Sequence, residues 1–125
     1  MTGLTLDTGA MIALERRDRR MQLLLAVAVA RRHVLTLPSA VLVEWWARRT
    51  REREGIVRAL VVEPLSARIA QIAGEALATV PRGPSVVDAI VMASAAQRGD
   101  VVVTGDHDDL DRLRAVFPNV RLLAV

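Results

Sequence analysis

Short apolar runs alternate with helical stretches along the whole chain, and this alternation restricts the fold to a parallel sheet flanked by helices. Leu4-Thr5-Leu6 reads as a strand running into Asp7, and Thr8 to Leu14 fits a tight turn into a helix. Met21, Leu24, Leu25 and Ala28 recur at helical spacing within a helix of about Arg19 to Arg32, and Val34 to Leu37 is a second strand stopped by Pro38. Ser39 is placed to cap the next helix, which runs through Val41, Leu42, Glu44 and Trp45 into an arginine-rich stretch and loses its pattern near Gly55. Leu60 to Glu63 reads as a short third strand, and Ser66 caps a helix of about Ala67 to Ala78. Pro81-Arg82-Gly83-Pro84 is a loop, after which Ser85 opens a helix to about Gln97, with Gly99 as its stop. Val101 to Thr104 is a β-branched run suited to a buried parallel strand. A helix over His107 to Val116 and a strand over Val120 to Val125 complete the pattern. The expectation is an α/β/α sandwich, an open parallel sheet with helices on both faces, as a single domain over 1–125.

Leu, Val, Ile and Ala must build the core almost alone, because the aromatics are only Trp45, Trp46 and Phe117. Recognition by stacked aromatic rings is therefore not expected. The absence of Cys excludes zinc knuckles, disulfide scaffolds and thiol chemistry, and fits a cytoplasmic setting. The longest apolar run, Leu23 to Ala30, has eight residues, against about 20 for a membrane span. No signal peptide is expected either, since Asp7 and Glu15 interrupt the region where its apolar segment would lie.

All 17 basic residues are Arg. Residues 1–62 carry eleven of them against six acids, whereas residues 63–125 carry six against eight, so the first half offers the better surface for a polyanion. Its arginines cluster in Arg16 to Arg20, in Arg31-Arg32 and in Arg48, Arg49, Arg51 and Arg53, and such clusters are candidates to neutralise the phosphates of a polyanion. The competing reading is a solvated helix face with i,i+4 pairs such as Arg48 with Glu52.

In a parallel sheet the carboxyl ends of the strands share one edge, and ligands bind there at the topological switch point. Asp7 ends the first strand, Asp106 follows the Val101 to Thr104 strand by two residues, and Glu44 and Asp88 fall in the first turns of helices. Four carboxylates from distant parts of the chain can thus converge. Gathered together they repel one another unless a cation sits among them, and an oxygen-only donor set favours Mg²⁺ or Mn²⁺ over Zn²⁺. The chemistry implied is phosphodiester hydrolysis. Thr8 and Thr104 each adjoin a strand-end acid and are candidates to orient it. Each acid also has a purely structural reading: Asp7 as a helix cap, Asp88 as part of a capping box with Ser85, Glu44 as a surface residue, and Asp106 as part of a solvated turn with Asp108 and Asp109.

Three segments resemble the PIN-domain ribonucleases, and among them the VapC-type toxins of VapBC toxin–antitoxin systems. These are Leu6-Asp7-Thr8-Gly9-Ala10-Met11-Ile12-Ala13-Leu14, Pro38 to Glu44, and Asp88 to Ala95 followed by Val101-Val102-Val103-Thr104-Gly105-Asp106. The resemblance implies a PIN fold, a divalent-metal-dependent endoribonuclease, a homodimer, and inhibition by a cognate VapB-like antitoxin. It carries over Asp7, Glu44, Asp88 and Asp106 as catalytic and metal-ligating acids, with Thr104 as a supporting hydroxyl. Asp109 lies where the family often has a further acid, so the fourth ligand is Asp106 or Asp109, with Asp106 ranked first.

Two other functions compete. A HAD-like phosphatase needs a second Asp two residues after the strand-end Asp, and that position is Gly9. A receiver-like or non-catalytic RNA-binding domain would use the arginines alone, but such a module gains nothing from clustered carboxylates.

Overall fold

The computed structural model describes residues 3–125. Five strands form one all-parallel sheet: β1 (Leu4–Leu6), β2 (Leu35–Pro38), β3 (Val61–Glu63), β4 (Val101–Thr104) and β5 (Arg121–Ala124). Their spatial order is β3-β2-β1-β4-β5. The chain therefore builds outward from β1 on one side, crosses back over it, and finishes on the other side. The gap between β1 and β4, where the loops leaving the two strands diverge, is the switch point.

Between β1 and β2 lie α1 (Thr8–Glu15) and α2 (Arg19–Ala30), and between β2 and β3 lie α3 (Ser39–Trp45) and α4 (Arg51–Arg58). The return crossing carries α5 (Ala67–Thr79) and α6 (Val86–Arg98), and α7 (His107–Leu113) joins β4 to β5. Helix α1 packs against α2, α3 and α4, and α6 packs against α5 and α7. Right-handed crossovers on a sheet that reverses its direction of growth produce two such groups, one on each face.

Leu6, Leu37, Val102 and Val103 fill the sheet's centre. Helix α6 is buried without interruption from Ala89 to Ala95. A helix apolar on all sides must be enclosed on all sides, and here the sheet and helices α3, α5 and α7 enclose it. Its single buried hydroxyl, Ser94, donates to Glu63 and accepts from Arg98, which also bonds Thr5 and Asp100. That polar knot fixes the far end of α6 against β1, β3 and the start of β4.

The expected helix running from Ser39 towards Gly55 is in fact two. The break at 46–50 ends with Thr50 as the cap of α4, its Oγ1 accepting from Arg53 N at 3.0 Å. Ser39 is not a cap: it lies inside the first turn of α3, and its Oγ accepts from Leu65 N at 3.1 Å. The Arg48–Glu52 pair does not form among the described residues, because the break reorients the arginines. Arg49 pairs with Glu54 at 3.3 Å, and Arg53 pairs with Glu15 of α1 at 2.8 Å. Trp45 enters the core and Trp46 is half-buried against it. The last helix ends at Leu113 rather than Val116, in a turn where the amides of Val116 and Phe117 both bond Leu113 O.

Candidate active site

Asp7 leaves β1 at the switch point with its carboxylate almost wholly enclosed, 4% exposed. Its Oδ1 accepts from Ala10 N at 2.8 Å, capping α1, and from Gly105 N at 3.2 Å, in the loop leaving β4. The Thr104 hydroxyl also bonds it. Burial raises its pKa above the ordinary carboxylate value, and these hydrogen bonds oppose the rise. One carboxylate thus ties together the two loops that diverge from the gap.

Thr104 does more than face Asp7, since its Oγ1 also accepts from Asp106 N at 2.8 Å. Asp106 itself occupies the cap position of α7, but its side chain makes no capping bond. Loss of solvation and the neighbouring Asp109 carboxyl both raise its pKa. Asp88 stands at the third position of α6 in a complete capping box: its Oδ2 accepts from Ser85 N at 2.9 Å, and Ser85 Oγ accepts from Asp88 N at 3.1 Å. Partial burial raises its pKa as well, the Ser85 bonds pull it down, and the charges of Asp109 and Glu44 add to the rise. Capping does not take either residue out of the cleft, since Asp7 and Asp88 both line it.

Glu44 projects from α3 on the exposed side and accepts from Thr8 Oγ1 at 2.5 Å. Thr8 thus orients Glu44 and not, as its sequence position suggests, the adjacent Asp7. All five acids, Asp7, Glu44, Asp88, Asp106 and Asp109, line one cleft of about 300 Å³ together with Gly83 and Ser85. Ligand oxygens of Asp88, Asp106 and Asp109 lie within 4.8 Å of one another. Asp106 and Asp109 both belong to this tight group, whereas Asp7 and Glu44 line the cleft outside it. An oxygen-only donor set, partly desolvated and with the pKa values of Asp7, Asp88 and Asp106 raised, is chemically suited to a hard divalent cation. A larger hollow of about 430 Å³, lined by Leu14, Leu25, Val29, Leu35, Ile56 and Leu60 among others, is apolar and has no such group of acids.

Two glycines that sequence reasoning misses shape the floor beside these acids. A Cβ on Gly9 would sit 2.6 Å from Gly105 Cα, and one on Gly105 would sit 2.8 Å from Gly9 Cα. The α1 and β4 loops touch backbone to backbone beside Asp7. The signal in the sequence is the dipeptide Thr-Gly, repeated close behind the two strands that flank the gap.

Of the four candidate RNA-binding arginines, Arg48, Arg49 and Arg51 are exposed. Arg53 is already engaged: it binds Glu15 through Nε and Nη2, donates to Arg48 O, and lies over the Trp45 ring 5.5 Å from its centroid.

A family profile described as PIN domain matches residues 4–116. No curated protein matches the sequence. Among solved structures, the chain resembles a DNA-bound VapBC from Salmonella typhimurium at 21% identity and a TM-score of 0.76, covering 99% of this chain and 98% of that one. It resembles VapBC2 from Rickettsia felis, bound to a promoter DNA fragment, at 16% identity and a TM-score of 0.78, covering 98% of each chain. FitAcB from Neisseria gonorrhoeae is similar at 15% identity and a TM-score of 0.67, covering 96% of each chain. At these identities the likeness is one of fold.

Proposed function

The chain belongs to the PIN-domain family, and from that premise we propose that it is a divalent-metal-dependent endoribonuclease acting as the toxin of a toxin–antitoxin pair. The observation that carries the reading is the convergence of five carboxylates, from the end of β1, from α3, from α6 and from the start of α7, around one cleft at the switch point. Asp7, Glu44, Asp88 and Asp106 are the proposed catalytic and metal-ligating residues, Asp109 a further ligand, and Thr8 and Thr104 their supports. When bound there, Mg²⁺ or Mn²⁺ supplies Lewis-acid stabilisation of phosphoryl oxygens and a more acidic water.

The chain's own groups prepare that chemistry. Asp7 is held rigid by two amides and a hydroxyl, and Asp88 is oriented by the Ser85 capping box. Glu44, exposed like Asp106, is steered by Thr8, whose hydroxyl donates to its Oε1. Arg48, Arg49 and Arg51 bind phosphates outside the cleft. We take residues 1–125 as one PIN domain, working in the cytoplasm as a homodimer. Among the described residues no helix is long and apolar enough to cross a membrane.

The structural neighbours from Salmonella typhimurium and Rickettsia felis are VapBC proteins bound to DNA, and the partner proposed here is a VapB-like antitoxin. It would lay an apolar helix near the Trp45–Trp46 segment and direct a basic side chain at the acids. Since Trp45 is buried, the hollow between α1, α2 and α4 is the apolar surface open to such a helix. An inserted Arg forms charge-assisted bonds to carboxylates and takes the place of the cation.

Purified protein incubated with mixed cellular RNA tests the function directly. Cleavage that requires Mg²⁺ or Mn²⁺, stops in EDTA while binding continues, and disappears in Asp7→Asn and Asp88→Asn supports the enzyme. Binding without cleavage in either metal would establish the non-catalytic module instead.

A further inference from the structure

We propose that Arg112 grips a phosphate of the RNA strand at the rim of the acidic cleft, an inference that rests on the nuclease reading above. Arg112 stands in the last turn of α7, and its Nη1 lies 3.3 Å from Oδ1 of Asp109, a cleft-lining acid. Its guanidinium fills the space that a Cβ on Gly83 would occupy, and Gly83 lines the same cleft. Gly83 has φ +101°, a conformation strained for any L side chain, so the backbone demands glycine there, and the Arg112 guanidinium rests in the space its missing Cβ leaves. The guanidinium is thereby seated between the 81–84 loop and α7, against two residues that form the cleft wall.

A strand entering this cleft brings its own negative charge towards five carboxylates. A divalent cation offsets two charges, which leaves an excess of acid, so a guanidinium at the rim lowers the repulsion where the flanking phosphate passes. The tie to Asp109 is loose enough to be exchanged: the Arg112 side chain is 55% exposed, and exposed ion pairs are weak. A phosphate accepts the same fork of donors bidentately.

The same segment contains its own control. Arg114 pairs with Asp111 at the same spacing and the same 3.3 Å, but its Nε donates to Val120 O and neither residue lines the cleft. If Arg112 were only a surface pair, the two would behave alike.

Binding of a short fluorescent single-stranded RNA is measured by anisotropy across a salt series in an Asp7→Asn background, with thermal melting as the check on folding. Arg112→Gln should weaken binding about tenfold, as expected when one charge-assisted hydrogen-bonded pair is removed, and lower the salt slope by roughly 0.7. Arg112→Lys, which keeps the charge and loses the fork, should recover part of the affinity. Arg114→Gln should match the parent. Equal effects of Arg112→Gln and Arg114→Gln would overturn the proposal, and so would failure of the parent to bind RNA. Cleavage is read separately on the chain with Asp7 intact: its absence alongside Arg112-dependent binding would remove the nuclease reading and leave the phosphate grip standing.

Discussion

Asp7, Asp88 and Asp106 are held where charge is disfavoured, and the sign of the consequence follows from their raised pKa values. A carboxyl whose folded pKa exceeds its unfolded value binds its proton more tightly in the folded state. The stability it contributes is complete below the ordinary Asp value of 3.8 and is lost as pH rises through the folded pKa. In EDTA, Asp106→Asn should therefore be more stable than the parent at pH 7, and that advantage should vanish near pH 4. Urea denaturation at the two pH values measures this, and an equal difference at both would dissociate Asp106 from the repulsive group. Asp106 is the right position because its side chain carries no cap. At the other end of the cleft, Ser85→Ala should cost about 1 kcal/mol through removal of the cap. It should also reduce turnover by freeing Asp88, which a steady-state assay beside the denaturation curve would separate. That these four acids share one cleft was legible for Asp7, Asp88 and Asp106 from their places beside element ends, and so were the caps of Asp7 and Asp88. Glu44, expected in a first turn, stands instead in the last turn of α3. The target of Thr8 was not legible, since only the packing of α3 against α1 brings Glu44 within its reach.

Helix boundaries set by local chemistry were readable, and those set by distant neighbours were not. Ser66, Ser85 and Gly99 each perform the terminal role their residue type suggests. Gly99 has φ +73° and open space around its Cβ direction, so Gly99→Ala should destabilise by about 1 kcal/mol from backbone strain alone. A denaturation midpoint shift with unchanged m-value would show it. The break between α3 and α4 lacks Pro or Gly, and its only local mark is Thr50. What holds it is the bond from Arg53 to Glu15, 38 residues away in the chain. The same bond divides the arginine cluster. Replacing Arg48, Arg49 and Arg51 with Gln should lower the RNA salt slope by up to roughly 0.7 for each phosphate no longer neutralised. Arg53→Gln should leave the slope alone and lower the melting temperature. A fall in slope from Arg53→Gln equal to that of its neighbours would return it to the RNA surface.

For the molecule as a whole, parallel strands and two helical layers followed from the alternation of elements, but the order β3-β2-β1-β4-β5 did not. Short apolar strands such as Val61–Glu63 and Val101–Thr104 carry little that selects a neighbour. The enclosed helix α6, bonded to Thr5, Glu63 and Asp100 through Ser94 and Arg98, takes its surroundings from residues remote in sequence. A ligand that binds only the folded arrangement must stabilise it. Mg²⁺ or Mn²⁺ at a hundredfold excess over its dissociation constant should add about 2.7 kcal/mol. Asp88→Asn should lose most of that gain in parallel melts; an identical gain would move the cation elsewhere. The close approach of Gly9 and Gly105 has a different reach. A bulky side chain can usually be answered by a smaller one opposite, but here each residue already faces the smallest alternative, and what it meets is main chain. Neither position has a suppressor available at the other. In a library of random single and double substitutions selected for cleavage, both should remain glycine in every survivor, an invariance imposed by geometry on two residues that do no chemistry.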